Sequence, residues 1–152
     1  MRNVEVVKGG AFTTVQDLGR YGYQRYGVPI SGALDQFALR VGNVLVGNEE
    51  DEAGLEITLM GPTLKFHFDA TIAVTGADLT PVVDGKPVQG WTAVSVSPGS
   101  TLSFKGPKDG IRSYVCVRGG VDVPKIMGSR STFTRSQFGG FLGRALAAED
   151  ML

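Results

Sequence analysis

Two short segments gather Arg, Asp, Gln and hydroxyl side chains that could together bind or polarise a small anion. In Gln16-Asp-Leu-Gly-Arg-Tyr-Gly-Tyr-Gln24, the residues Asp17, Arg20 and Gln24 offer directional hydrogen bonds, while Gly19 and Gly22 let the backbone turn. Arg20 lies among glycines and outside any strand or helix period. It is therefore expected to face solvent, where a guanidinium can grip a planar carboxylate through two parallel bonds. The competing reading is that Asp17 and Arg20 brace their own loop. The second segment is Gly128-Ser-Arg-Ser-Thr132, followed by Arg135 and then Phe138-Gly-Gly-Phe141. Here Ser129, Arg130, Ser131, Thr132 and Arg135, together with free backbone amides, suit an anion if the segment opens a short helix. Against that stands a capping segment in which Arg130 pairs with an acidic neighbour.

Other chemistries lack the residues they need. The sole histidine, His67, alternates with Phe66 and Phe68 in a strand-like run without a nearby Cys or His, which argues against a metal site and against Ser-His or Cys-His pairs. Cys116, the one cysteine, sits in the apolar run Tyr114–Val117 and reads as a buried, inert thiol. No phosphate-binding loop or dinucleotide fingerprint occurs, so no ATP or other nucleotide cofactor is expected to bind this chain alone. Lys plus Arg equals Asp plus Glu at 15 each, which leaves no net field for nucleic acid or an anionic membrane. No stretch approaches the roughly 20 apolar residues of a membrane span. The N-terminus lacks a signal-peptide core, and the reading is cytoplasmic.

The elements that must position these residues are mainly strands. At 152 residues and 42% hydrophobic content the chain suits a single domain, residues 1–152. Short alternating runs at Val4–Val6, Leu55–Leu59, Thr63–Phe68, Thr71–Thr75, Pro81–Val83, Trp91–Val96, Thr101–Phe104 and Arg112–Val117 are separated by turn residues, among them Asp84-Gly85 and Pro98-Gly99. Turns at intervals of roughly ten residues indicate an antiparallel sandwich or barrel. Thr13–Arg20 carries polar groups too densely for a core element and reads as loop. From Ser31 to Asn48, the positions Leu34, Phe37, Ala38, Val41 and Leu45 form one apolar stripe of an amphipathic helix. Ser31 is its expected cap, Asp35 suits the positive end of its dipole, and Gly47-Asn48 supplies a left-handed stop. Trp91 and the phenylalanines read as core. Phe138, Phe141 and Leu142 are expected to form an exposed apolar patch through which the isolated chain self-associates.

The same motifs resemble a known family. Thr13–Arg20, Gly27-Val-Pro, Ser31-Gly-Ala with Asp35, Leu45-Val-Gly-Asn48, Glu56 with Thr58-Leu59, Thr75-Gly-Ala-Asp78, Gly119-Gly-Val-Asp-Val-Pro124, Gly128–Thr132 and Phe138–Phe141 are similar to the signature of the biotin-dependent carboxyltransferase family. That family is also called allophanate hydrolase subunit 2, or the C-type subunit of 5-oxoprolinase. The resemblance implies a cyclophilin-like antiparallel β-barrel, and a longer polypeptide of which this chain is the N-terminal part. It implies work with a companion B-type subunit (the subunit 1 family) and a large 5-oxoprolinase subunit, in ATP-dependent cleavage of 5-oxoproline to glutamate. Alternatives within the family are carboxyl transfer from carboxybiotin to urea and a regulatory role antagonising a sporulation-kinase inhibitor. Gly143–Asp150 resembles the family's junction, with Glu149 standing where a glycine is expected. The resemblance assigns no catalytic residue. As substrate-binding candidates it leaves Asp17, Arg20, Gln24, Ser31, Asp35, Ser129, Arg130, Ser131, Thr132 and Arg135.

Overall fold

Residues 2–152 are described by a computed structural model. Ten strands, one α-helix and two 3-10 turns follow in the order β1 (Val4–Lys8), β2 (Phe12–Gln16), α1 (Gln36–Val46), β3 (Gly54–Thr58), β4 (Thr63–Phe66), β5 (Ala70–Asp78), β6 (Pro81–Val83), β7 (Lys86–Pro87), β8 (Ala93–Val96), β9 (Thr101–Phe104) and β10 (Asp109–Val117); the 3-10 turns are Gln24–Tyr26 and Thr134–Ser136. The strands form two antiparallel five-stranded sheets, ordered β1-β4-β9-β6-β7 and β2-β3-β10-β5-β8. The expected mainly β, antiparallel fold with one amphipathic helix is what forms. The two sheets share no strand. They face each other across one core.

Period-two alternation makes that core. Val15, Leu55, Ile57, Ile72, Val74, Val115 and Val117 of the second sheet pack against Val6, Leu64, Phe66 and Leu102 of the first. Each such buried side chain contributes on the order of 1.5–3 kcal/mol relative to exposure. On its other face the second sheet carries α1, whose Ala38, Leu39 and Val46 pack on Ala73, Tyr114 and Cys116.

Three expectations are corrected. Thr13–Gln16 lies in strand β2 and is wholly buried, because every polar side chain there finds a partner. Thr13 Oγ1 donates to Gly9 O at 2.8 Å, and Gln16 Nε2 donates to Thr14 Oγ1 at 3.1 Å. Helix α1 begins at Gln36, not near Ser31, since the preceding amides are spent on the sheet: Leu34 N donates to Glu56 Oε2 and Asp35 N to Tyr114 Oη, both at 2.8 Å. Asp35 is the cap, its carboxylate accepting from Ala38 N at 3.1 Å, while Ser31 turns with φ 55. The buried face of α1 is also rotated. Ala38, Leu39, Gly42, Asn43 and Val46 face the sheet, and Leu34 and Phe37 are 73% and 70% exposed. Gly42 explains this, because a Cβ there would lie 2.7 Å from Cys116 Sγ, so its lack of a side chain lets the helix approach the sheet on this face.

The end of the helix follows expectation. Gly47 takes φ 84, and Asn48 N reaches back to Asn43 O at 2.8 Å. At the far end of the chain, residues 149–152 run antiparallel to β1 through bonds such as Leu152 N to Val4 O at 2.9 Å. Glu149 has φ 74, a left-handed conformation that glycine adopts more readily, at the position where a glycine was expected. No helix is long and apolar enough to cross a membrane among the described residues.

Candidate functional site

Strand β2 delivers Asp17 to the point where the two polar segments meet. Its outer edge is held by the second segment, with Thr132 N and Thr132 Oγ1 both donating to Val15 O, at 3.0 and 2.9 Å. That contact sets Ser129–Ser131 directly over Asp17. The Asp17 carboxylate then accepts from Ser129 Oγ and Ser131 Oγ at 2.6 Å each, from Arg130 N at 2.7 Å and from Gly19 N at 2.9 Å. Arg20 completes the arrangement from the other end of the loop. Its Nε donates to Ile126 O at 2.7 Å, and its Nη2 donates to Ser129 O and Ser131 O at 3.2 and 3.0 Å.

The two segments are therefore one interlocked unit. Asp17 binds the donors of residues 129–131, and Arg20 binds the acceptors of residues 126–131. Arg20 is fully buried, which corrects the expectation that it faces solvent. Its guanidinium lies over the Phe138 ring at 5.0 Å, and Nη1 is buried without a hydrogen-bond acceptor. Burial draws this guanidinium below its ordinary range, with Asp17 pulling the other way. The amides of 129–132 are equally engaged: Ser129 N with Ile126 O, Arg130 N with Asp17, Ser131 N with Ser129 Oγ, and Thr132 N with Val15 O. They offer no cradle to an anion, and the segment opens no helix.

Close backbone approach holds the unit together. Gly139 and Gly140 both take positive φ, and a Cβ at either would run into the Ser131 carbonyl or the Thr132 hydroxyl. The segment before α1 closes the other side, Arg20 N donating to Ile30 O at 2.6 Å and Ala33 N to Asp17 O at 2.9 Å. This brings Ser31 beside the Asp17 loop through its backbone. Gln24 and Arg135 lie on exposed 3-10 turns, with Gln24 Oε1 accepting from Gly22 N at 2.8 Å. Asp35 remains at the helix start. Of the candidates, then, Asp17, Arg20, Ser129, Arg130, Ser131 and Thr132 come together, and Gln24, Asp35 and Arg135 stand apart.

Arg130 alone among that group keeps a partly exposed charge. Its Nε donates to Val123 O at 2.9 Å, and Nη1 makes a longer ion pair with Glu52 at 3.4 Å. It lines a cavity of about 230 Å³ shared with Lys125, Asp51, Glu52 and Asp17. The cavity's two cations, Arg130 and Lys125, share it with the carboxylates of Asp17, Asp51 and Glu52. No nucleophile and base are paired there, since Ser129 and Ser131 are fully buried and both donate to Asp17.

A second polar group escaped the sequence reading. Thr14, Glu56, Tyr114 and Thr75 form a row across β2, β3, β10 and β5, on the sheet face beneath α1. Tyr114 Oη donates to Glu56 Oε2 at 2.7 Å, and Arg112 Nη1 donates to Glu56 Oε1 at 3.1 Å. Burial raises the Tyr114 phenol well above its ordinary range, and the negative Glu56 acts in the same sense. The available signal was a carboxylate on the Leu55-Glu-Ile-Thr run, opposite a tyrosine in another strand.

The expected apolar patch near the C-terminus does not form. Phe138 packs against Phe133 and Arg20, Phe141 packs against the core, and only Leu142 of the three is exposed. Trp91, read as core, is instead 42% exposed.

Known proteins share this arrangement over nearly its whole length. The chain is 43% identical to the urea amidolyase of Saccharomyces cerevisiae, over 98% of this chain and 8% of that protein. It is likewise 43% identical to the C-type subunit of the Escherichia coli 5-oxoprolinase, over 98% of this chain and 48% of that one. The chain thus spans about half or much less of these relatives. The crystal structure of the Kluyveromyces lactis urea carboxylase superposes with a TM-score of 0.95 at 42% identity, covering 98% of this chain and 13% of that chain. The family described as carboxyltransferase domain, subdomain A and B, matches residues 26–152, and this chain belongs to it.

Proposed function

We propose that this chain acts as a component of an ATP-dependent 5-oxoprolinase that converts 5-oxoproline to glutamate, together with a companion B-type subunit and a large 5-oxoprolinase subunit. The observation that carries the reading is the match to relatives named as the C-type subunit of 5-oxoprolinase, of which the chain covers a far larger share than of the urea amidolyases. Its local chemistry agrees with a contributing role. Beside the interlocked unit, Arg130 and Lys125 line a cavity together with Asp17, Asp51 and Glu52, and they are its cations for a carboxylate or for developing oxyanion charge. The amides of 129–132 do not fit a phosphate group, and no step of ATP chemistry is assigned to this chain.

A second reading has its own support in the superposition on the Kluyveromyces lactis urea carboxylase. In it the same cavity meets the carboxyl group carried by carboxybiotin or transferred to urea. One reconstitution separates the two. Co-expression with the companion and large subunits is expected to yield ATP-dependent glutamate from 5-oxoproline, lost when this chain is omitted. Arg130→Lys, which keeps the charge but loses the fork, should lower that activity by about tenfold, or 1.4 kcal/mol. Full activity without this chain, or urea-dependent turnover alone, contradicts the first reading.

A further inference from the structure

Two sheets present four outer edges, and three of these are closed or protected. Residues 149–152 cover β1, and Thr132 with Leu146 bonds the outer edge of β2. Strand β7 is only Lys86–Pro87, a length and composition that discourage further pairing. Strand β8 is different. It joins its sheet through β5 alone, and Trp91–Ser97 contains neither a charged residue nor a proline.

The ladder fixes which of its main-chain groups are free. On β5, Thr71 O accepts from Arg118 N on the β10 side, whereas Val74 O accepts from Trp91 N on the β8 side. Alternation then turns Ala70 and Ile72 toward β8 as well. Their partners are Val96 and Val94. Val94 and Val96 therefore spend their groups on β5, and Ala93 and Ser95 point theirs outward. No described residue bonds to these outward groups.

We propose that β8 is a self-pairing edge, through which two copies of this chain join antiparallel about a two-fold axis at Val94 to make one continuous ten-stranded sheet. Outward donors and acceptors on alternate residues require an extended strand as occupant. A second β8 meets that requirement in the register that places Ala93 of each copy opposite Ser95 of the other. Each such pair exchanges two backbone bonds, and the same patch serves on both sides, as a two-fold interface demands. The uncharged run sets no like charges against each other. Trp91 supplies the apolar part. It is held at φ 58, unusual for a bulky residue, by its bond to Val74 O, and its ring lies 6.1 Å from that of exposed Phe37. The register puts Trp91 opposite Ser97 of the second copy, so each aromatic pair lies against the end of the other strand.

Sedimentation velocity over a concentration series tests this. The unaltered chain is expected to pass from monomer to dimer as concentration rises. Ser95→Pro removes an outward N–H that makes no bond within the monomer, and Ser95→Lys places a gatekeeping charge on the edge. Each should weaken dimerisation by about tenfold or more while leaving the melting temperature of the monomer unchanged. Ser95→Lys alters only an exposed side chain, so it decides the matter should proline disturb β8. A chain that stays monomeric throughout, or variants that dimerise as well as the unaltered chain, would overturn the proposal.

Discussion

The interlocked unit around Asp17 and the edge strand β8 are opposites. The first is densely polar, and nearly every donor and acceptor in it is satisfied from within, by partners more than a hundred residues away in sequence. The second is bland in composition, yet it leaves main-chain groups without internal partners, beside two exposed aromatic rings that meet only each other among the described aromatic pairs. Density of polar side chains thus marks a place where this fold is fastened. Unsatisfied groups mark where it can meet something else.

Asp17→Ala should produce the largest effect. It leaves four donors, Gly19 N, Ser129 Oγ, Ser131 Oγ and Arg130 N, without their acceptor in a buried setting. At about 1–3 kcal/mol for each buried group left unpaired, a loss above about 3 kcal/mol follows, and a melting temperature lower by on the order of 10 °C. Differential scanning calorimetry checks it. A melting point like that of the unaltered protein would erase the contrast with β8.

A smaller effect is expected from acid at the C-terminal fastening. Hydrogen bonds from Arg144 at 2.7 Å to both oxygens hold the Asp150 carboxyl below its ordinary range, aided by the Ala147 amide. A depressed value means that the stabilisation is complete above the unfolded carboxyl pKa of about 3.9 and is lost as pH falls through the lower folded value. Arg144 is partly exposed, so the contribution is about 1 kcal/mol or less. Urea unfolding between pH 7 and pH 2 should show the decline, and Asp150→Asn should remove that part of it.

The smallest effects belong to Cys116 and His67. Burial pushes the Cys116 thiol up to about 12, so a maleimide at pH 8 should leave it unmodified until the protein unfolds. His67 is exposed, and its ring meets Glu5 at 2.8 Å. Cys116→Ser and His67→Gln should leave the turnover of the reconstituted complex intact, and rapid native labelling of Cys116 would show its burial to be wrong.

Most strands were legible because alternating residues and Gly- or Pro-marked turns are local signals, as at Pro81–Val83 before Asp84-Gly85, whereas β2 was read as loop because its polar side chains find their partners elsewhere in the fold. The start of α1 was not, because its leading amides are claimed by Glu56 and Tyr114, residues 22 and 79 positions away. Its buried face was misread because bulk predicts burial poorly where Gly42 and Ala38 permit the closest approach. For the site, both polar segments could be found in the sequence. That each is the other's partner could not, since 109–114 residues separate the bonded groups.

Arg20→Lys tests the central claim most directly, with thermal unfolding and activity per folded molecule measured on the same reconstituted preparation. A lysine keeps the charge but cannot reach Ile126 O, Ser129 O and Ser131 O together. If Arg20 fastens the fold, the variant melts at a lower temperature, loses about 1.5–3 kcal/mol of stability, and retains its activity once folded. An unchanged melting temperature with activity reduced about tenfold would contradict the account and make Arg20 a substrate-binding residue.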